Sequence, residues 1–314
     1  MNFLGGIAMK DRTQKIVSHL WFDKQSYEAA EFYTSLFPDS KITNMTTIHD
    51  TPSGDPAIVS FRLWGQEFMA IDGGPHFKFN PAVSFSVNFD VSHYKDAPEM
   101  INEVWDKLSD GGTVLMPFDN YPFAEKYGWI QDKYGLSWQL ILTDSGEERP
   151  SILPSLLFID HNYGHAEAAI QFYLSIFKNS TAGQLARYPA GMDPDKEGTV
   201  MFADFMLENQ WFTAMDSANA HEFNFNEAIS FLVKCDTQDE IDYYWEKLSA
   251  VPESEQCGWL KDKYGVSWQI VSGEMDDMMG SNSTPEQIAR VTQTMLKMKK
   301  IDVEALRKAY NMED

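Results

Sequence analysis

The chain has 314 residues and a mass of 35.9 kDa, more than one typical domain needs, so two domains are the starting expectation. Hydrophobic residues at 43% and aromatics at 14% supply a core for each half and exclude disorder as the main state. With 25 Lys and Arg against 47 Asp and Glu, the formal net charge of −22 creates a field that repels nucleic-acid backbones and anionic lipid surfaces.

No apolar run reaches the roughly 18 residues that span a bilayer. Cys235 and Cys257 form no Cys-x-x-Cys pair, and no secretory leader pattern is visible. The expectation is a reduced, cytoplasmic protein with neither nucleic acid nor membrane as a partner.

Self-similarity fixes the organisation. GWIQDKYGLSWQL at 128–140 returns as GWLKDKYGVSWQI at 258–270, with 9 of 13 positions identical. AAEFYTSLF at 29–37 matches AIQFYLSIF at 169–177, and FNPAVSF at 79–85 matches FNEAISF at 225–231. The sequence is a tandem duplication: unit one over 15–143, a polar linker over 144–153, unit two over 154–272, and terminal helices over 281–311.

In chain order, unit one opens with a strand that sends Leu20 and Phe22 one way and His19 and Trp21 the other. A helix over about 27–37 stops at Pro38. The strand at 83–89 alternates Val83, Phe85, Val87 and Phe89 with Ser84, Ser86 and Asn88. Ile101, Val104, Trp105 and Leu108 mark a second amphipathic helix, and a last strand sets Ser137 and Gln139 opposite Trp138 and Leu140. Unit two repeats the order, with Leu156 and Phe158 read as equivalent to the cup positions of the first strand. Ser230, Leu232 and Lys234 follow, then a Thr237-x-x-Glu240 capping box, the helix of Ile241, Tyr244, Trp245 and Leu248, and finally Ser267 and Gln269. Thr284-Pro285-Glu286-Gln287 starts a terminal helix with Ile288, Val291, Met295 and Met298 on one side, and Asp302 caps another. The Met-rich stripe is expected to dock on its own domain rather than on a partner.

These elements predict an α+β fold in which helices cover one face of mostly antiparallel sheet. The other face is polar, and a sheet curling around it makes a cup for a small molecule. The candidate ligand-binding residues are His19, Trp21, Ser84, Ser86, Asn88, Trp129, Gln139, Phe158, Ser230, Lys234, Trp259 and Gln269. The competing expectation is that this face meets solvent or the other unit. His161, His165 and Glu167 have the spacing of a helical metal site, but Gly164 between them argues for an inserted loop. Cys235 and Cys257 read as small buried hydrophobes, with no base assignable beside either.

The DKYG-[LV]-S-W-Q motif at the final strand of each unit, together with HFKFNPAVSF, CGWLKDKYGVSWQIV and MLKMKKIDVEALRKAY, resembles the PhnB-like branch of the vicinal-oxygen-chelate superfamily, which includes glyoxalase, bleomycin-resistance and extradiol-dioxygenase proteins. The resemblance covers nearly the whole chain. It implies two tandem glyoxalase-like domains, each of paired βαβββ modules forming an open curved sheet, and a divalent metal held by His and Glu. At the positions of those ligands unit one offers His19, Ser84 and Gln139, and unit two offers Leu156, Ser230 and Gln269. No anionic ligand remains in either set, so no cofactor is expected and His19 is the one weak metal candidate.

The leading expectation is a binding protein for a small organic ligand. The alternative is a lyase, isomerase or dioxygenase with a non-standard metal or a metal-free site, so the sequence leaves open whether any reaction is catalysed. A third reading makes the duplication an intramolecular pseudo-dimer whose contact buries the polar faces; a homodimer is left open. The demethylubiquinone methyltransferase label of some relatives is not adopted, because neither Gly73-Gly74-Pro75 nor Gly111-Gly112 has the strand-to-helix context of a donor-binding turn.

Overall fold

The computed structural model describes residues 14–48, 54–147, 149–280 and 282–312. Positions 148 of the linker and 281 at the start of the terminal segment lie outside them. The first module of unit one is β1 (Ile16–Phe22), α1 (Ser26–Thr34), β2 (Lys41–Thr47), β3 (Ala57–Leu63) and β4 (Gln66–Asp72). Its second module is β5 (Val83–Asp90), α2 (Ala97–Ser109), β6 (Thr113–Tyr121), β7 (Ala124–Gln131) and β8 (Ser137–Thr143). Unit two follows with β9 (Ile152–Phe158), α3 (Ala166–Ile176), β10 (Ser180–Arg187), β11 (Val200–Leu207) and β12 (Gln210–Asp216). It then adds β13 (Ile229–Cys235), α4 (Gln238–Leu248), β14 (Trp259–Lys261) and β15 (Ser267–Ser272). Where β6 would recur there is a single 3-10 turn, Pro252–Ser254. Helices α5 (Glu274–Met278), α6 (Pro285–Met295) and α7 (Val303–Asn311) close the described chain.

The capping signals act as the sequence predicts. Thr237 accepts from the Glu240 N–H, Thr284 and Gln287 form a full capping box, and Asp302 accepts from the Ala305 N–H. The repeated DKYG motif is a structural device. Asp132 accepts backbone N–H groups of Tyr134 (2.8 Å) and Leu136 (3.1 Å), while Gly135 supplies the positive φ of 88° that the turn needs. Its other oxygen accepts from Tyr33 Oη on α1 (2.8 Å) and from Trp138 Nε1 (2.9 Å), which ties the two modules of unit one together. Asp262, Gly265, Tyr173 and Trp268 repeat this arrangement in unit two.

Each unit therefore has its own core between its two modules. Phe68 meets Phe85 at 5.2 Å and Phe37 meets Trp138 at 5.8 Å in unit one; Phe212 and Phe231, and Phe177 and Trp268, do the same in unit two. The sheets do not respect the units. One seven-stranded sheet runs β14-β15-β13-β1-β4-β3-β2, and an eight-stranded sheet runs β10-β11-β12-β9-β5-β8-β7-β6. Antiparallel pairing of β1 with β13 and of β5 with β9 joins the units, so each sheet combines the first module of one unit with the second module of the other. This corrects the expectation that each unit curls its own sheet. A unit's two modules are already committed to each other through their helix-covered faces, and their open edges find partners only across the duplication.

Candidate functional site

The polar faces point away from the unit cores and form two cups, one on each sheet. Since directly opposed residues of paired strands share a face, the first cup can be read from the register. His19 faces Ser230 across β1 and β13, Met69 on β4 lies beside His19, and Trp259 on β14 faces Gln269 on β15. In the second cup Ser155 faces Ser84, Gln139 lies beside Ser86, and Trp129 faces Gln139.

Two sequence assignments change as a result. His19, Ser84 and Gln139 do not share a cup; the partners of His19 are Ser230 and Gln269. The equivalent of His19 in unit two is Ser155, while Leu156 and Phe158 face the core, with Phe158 packed on Phe225 and Tyr264. Every residue of β9 is buried and Ser155 is its single polar one, so its two faces carry too little polar contrast to set the register.

The first cup encloses a cavity of about 460 Å³ lined by both units. His19, Trp21, Lys234, Trp259 and Gln269 line it, as predicted residues now drawn together from four strands. Ser230 sits just behind, fully buried, and accepts from Gln269 Nε2 at 2.9 Å. Trp21 lies against the backbone at Gly73, where a Cβ would come within 2.2 Å of the indole, and its Nε1 donates to Gly74 O at 2.8 Å. Trp259 meets Trp21 and His19 edge to face, at 5.9 and 5.6 Å. Burial lowers the His19 pKa from 6.5 to about 3, so its imidazole is neutral at neutral pH. Its Nδ1 has no hydrogen-bond partner among the described residues, nor has the buried Arg62 Nε on the same walls.

The sequence reasoning missed the far wall. Met275, Met279 and Met295 from α5, the turn after it, and α6 line the cavity. Lys234 binds Asp276 (2.9 Å) and stands 3.8 Å from Glu67, which also pairs with Arg62 at 3.4 Å. The Met-rich stripe thus docks on its own chain, and the docking completes the cup. Cys257 also lines the cavity, with its thiol pKa raised by burial. Cys235 is buried with its thiol pushed up in the same way, so neither sulfur has the character of an activated nucleophile.

The second cup is smaller and differently filled. Its cavity of about 210 Å³ is lined by Ser86, Asn88, Asp90, Arg149 and Asp204 among others. Arg149 stacks 3.5 Å from the Trp211 ring centre and pairs with Asp204 at 3.2 Å. Burial opposes ionisation of Asp90, but hydrogen bonds from Ser92 and Ser145 outweigh it and hold the carboxyl well below the usual range. Gln139 is locked: it accepts from Tyr127 Oη at 2.8 Å and donates to Ser84 at 2.8 Å and Ser155 at 3.3 Å. Ser84, Gln139 and the half-buried Trp129 therefore do not line the open space.

The superfamily's metal does not match either cup. His19, Ser230 and Gln269 offer one imidazole, a hydroxyl and an amide, and no anion. Among the described residues no group of three or more His, Cys, Asp or Glu side chains is placed to hold an ion. His161 and His165 do not share a helix: Asp160–Asn162 is a 3-10 turn, Gly164 has φ 82°, and Glu167 pairs with Arg187 at 2.7 Å.

The exchanged βαβββ modules and the paired cups define a glyoxalase-like fold in tandem two-unit form. A mutant of glyoxalase I from Zea mays has the same fold at a TM-score of 0.50, with 12% identity over 85% of this chain and 97% of that one. The chain belongs to the family described as 3-demethylubiquinone-9 3-methyltransferase, whose model matches residues 14–141 and again 150–271. It is similar to the PhnB protein of Bacillus cereus, with 40% identity over 41% of this chain and all of that chain, at a TM-score of 0.37. It is also similar to a protein from Staphylococcus aureus, with 33% identity over 41% of this chain and 97% of that one, at a TM-score of 0.17. Comparison with curated proteins gave no match.

Proposed function

We propose that this protein binds a small organic ligand in the first cup, without a divalent metal. The observation that carries the reading is the cavity of about 460 Å³ in which the buried, neutral His19 and Gln269 face two tryptophans and four methionines. Its size lies in the usual range for ligand sites, about 300–1,000 Å³, whereas the second cup falls below it. An imidazole that takes a proton only near pH 3 is a hydrogen-bonding group at pH 7 rather than an acid–base catalyst, which favours binding over turnover. The rim charges of Arg62, Lys234, Glu67 and Asp276 balance, so they select neither anion nor cation.

Methyl transfer, which the family description names, is not part of the reading. Gly73-Gly74 follows β4 into a loop that packs against Trp21 of β1, and Gly111-Gly112 joins α2 to β6. Neither is the strand-to-helix turn that cradles a nucleoside donor.

The test is a thermal-shift screen of metabolites and metals against the full chain, with Trp259→Ala as control. A binder raises the melting temperature in the parent protein and not in the variant. A near-equivalent of transition metal retained on purification and lost in His19→Ala would sink the metal-free reading.

A further inference from the structure

The chain itself contains a model of what the first cup lacks. Two residues before Trp129 on β7 stands Tyr127, and two residues before Trp259 stands Cys257. In the second cup the Tyr127 ring is buried and its hydroxyl donates to Gln139 Oε1 at 2.8 Å. In the first cup Cys257 lines the cavity instead, and no such hydroxyl exists for Gln269. Gln269 is 6% exposed, and its Nε2 is committed to Ser230 as Gln139 Nε2 is to Ser84. No donor to its carbonyl oxygen is found among the described residues, and an acceptor that borders the cavity is open to a donor that a ligand brings.

We propose that the first cup takes a phenol: an uncharged aromatic ring whose hydroxyl donates to Gln269 Oε1, as the Tyr127 hydroxyl donates to Gln139 Oε1. This rests on the reading of the first cup as the ligand site and names the ligand class. The space is wide because the chain departs from the strand here. β7 runs on through Tyr127 to Ala124, whereas β14 begins only at Trp259. The N–H groups of Cys257 and Gly258 turn instead to Met298 O and Lys299 O, so the terminal segment forms that edge. Trp21 and Trp259 offer ring edges and faces, and Met69, Met275 and Met279 offer the polarisable contacts that suit an aromatic ring. A phenolate is disfavoured: Arg62 and Lys234 are already paired with Glu67 and Asp276, and the chain carries a net charge of −22.

The experiment titrates the full chain with 4-methylphenol, toluene and 4-methylanisole by calorimetry, in the parent protein and in Gln269→Met and Gln269→Glu. The expected result is one 4-methylphenol per chain, bound roughly three- to tenfold more tightly than either analogue without an O–H. Gln269→Met loses that preference while toluene binding stays, and Gln269→Glu, which keeps an acceptor oxygen, retains it. Affinity for the phenol falls as pH passes its own pKa near about 10, where the donor is lost. Equal binding of the three probes, a preference that survives Gln269→Met, or tighter binding above pH 10 overturns the phenol assignment while leaving the cup as a ligand site. No binding of any probe overturns both.

Discussion

In the second cup a tyrosine hydroxyl, a glutamine and two serines form a closed hydrogen-bonded set, and Arg149 from the linker lies across the mouth on Trp211. In the first, cysteine stands in place of the tyrosine, histidine in place of one serine, and helices from beyond the repeat supply the outer wall. The sheet architecture is nearly the same in both; the contents differ. A duplicated chain with exchanged modules can commit one cup to stability and keep the other open, because each cup draws on both units and neither unit holds a complete one.

The largest test of this contrast is of its symmetric part. Asp132→Ala and Asp262→Ala each strand an indole N–H, a tyrosine hydroxyl and two backbone N–H groups. Each should cost about 3–5 kcal/mol in urea unfolding. A difference between them of more than about 2 kcal/mol would break the claim that the two scaffolds are equivalent.

His19 sharpens the asymmetric part. Its pKa is about 3 in the folded chain against about 6.5 unfolded, so between these values the unfolded state binds a proton that the folded state does not. Stability is fully present above about pH 6.5 and falls on acidification by up to about 1.4 kcal/mol per pH unit, reaching roughly 3 kcal/mol at pH 4. The pH dependence of unfolding should flatten by about one proton in His19→Gln. An unchanged slope in that variant would place His19 in contact with water.

Tyr127→Phe removes the hydroxyl from Gln139 and should destabilise by about 1–2 kcal/mol without altering ligand affinity. A change in affinity would mean that the two cups are coupled. Arg149→Ala is expected to have the smallest effect, less than about 1 kcal/mol, since the guanidinium remains partly exposed.

The duplication, the helix caps and the alternation along β5 were legible because they are local or repeated patterns. The exchange of strands was not, because the β1–β13 pairing joins residues more than two hundred apart and leaves no local mark. Phe158 is misassigned for a different reason: in β9 Ser155 is the single polar residue among apolar ones, so the contrast between the two faces is too weak to set the register. The role of the terminal methionines is legible as docking but not as a cavity wall, since that wall forms only where residues far apart in sequence, such as Lys234 and Asp276, meet in space.

The most direct test of the account is a crystal structure with a bound small molecule found by the thermal-shift screen. The account predicts one molecule per chain between β1 and β15, touching both His19 from unit one and Gln269 from unit two. A molecule seated beside Gln139 and Arg149, or contacts drawn from one unit alone, would contradict it.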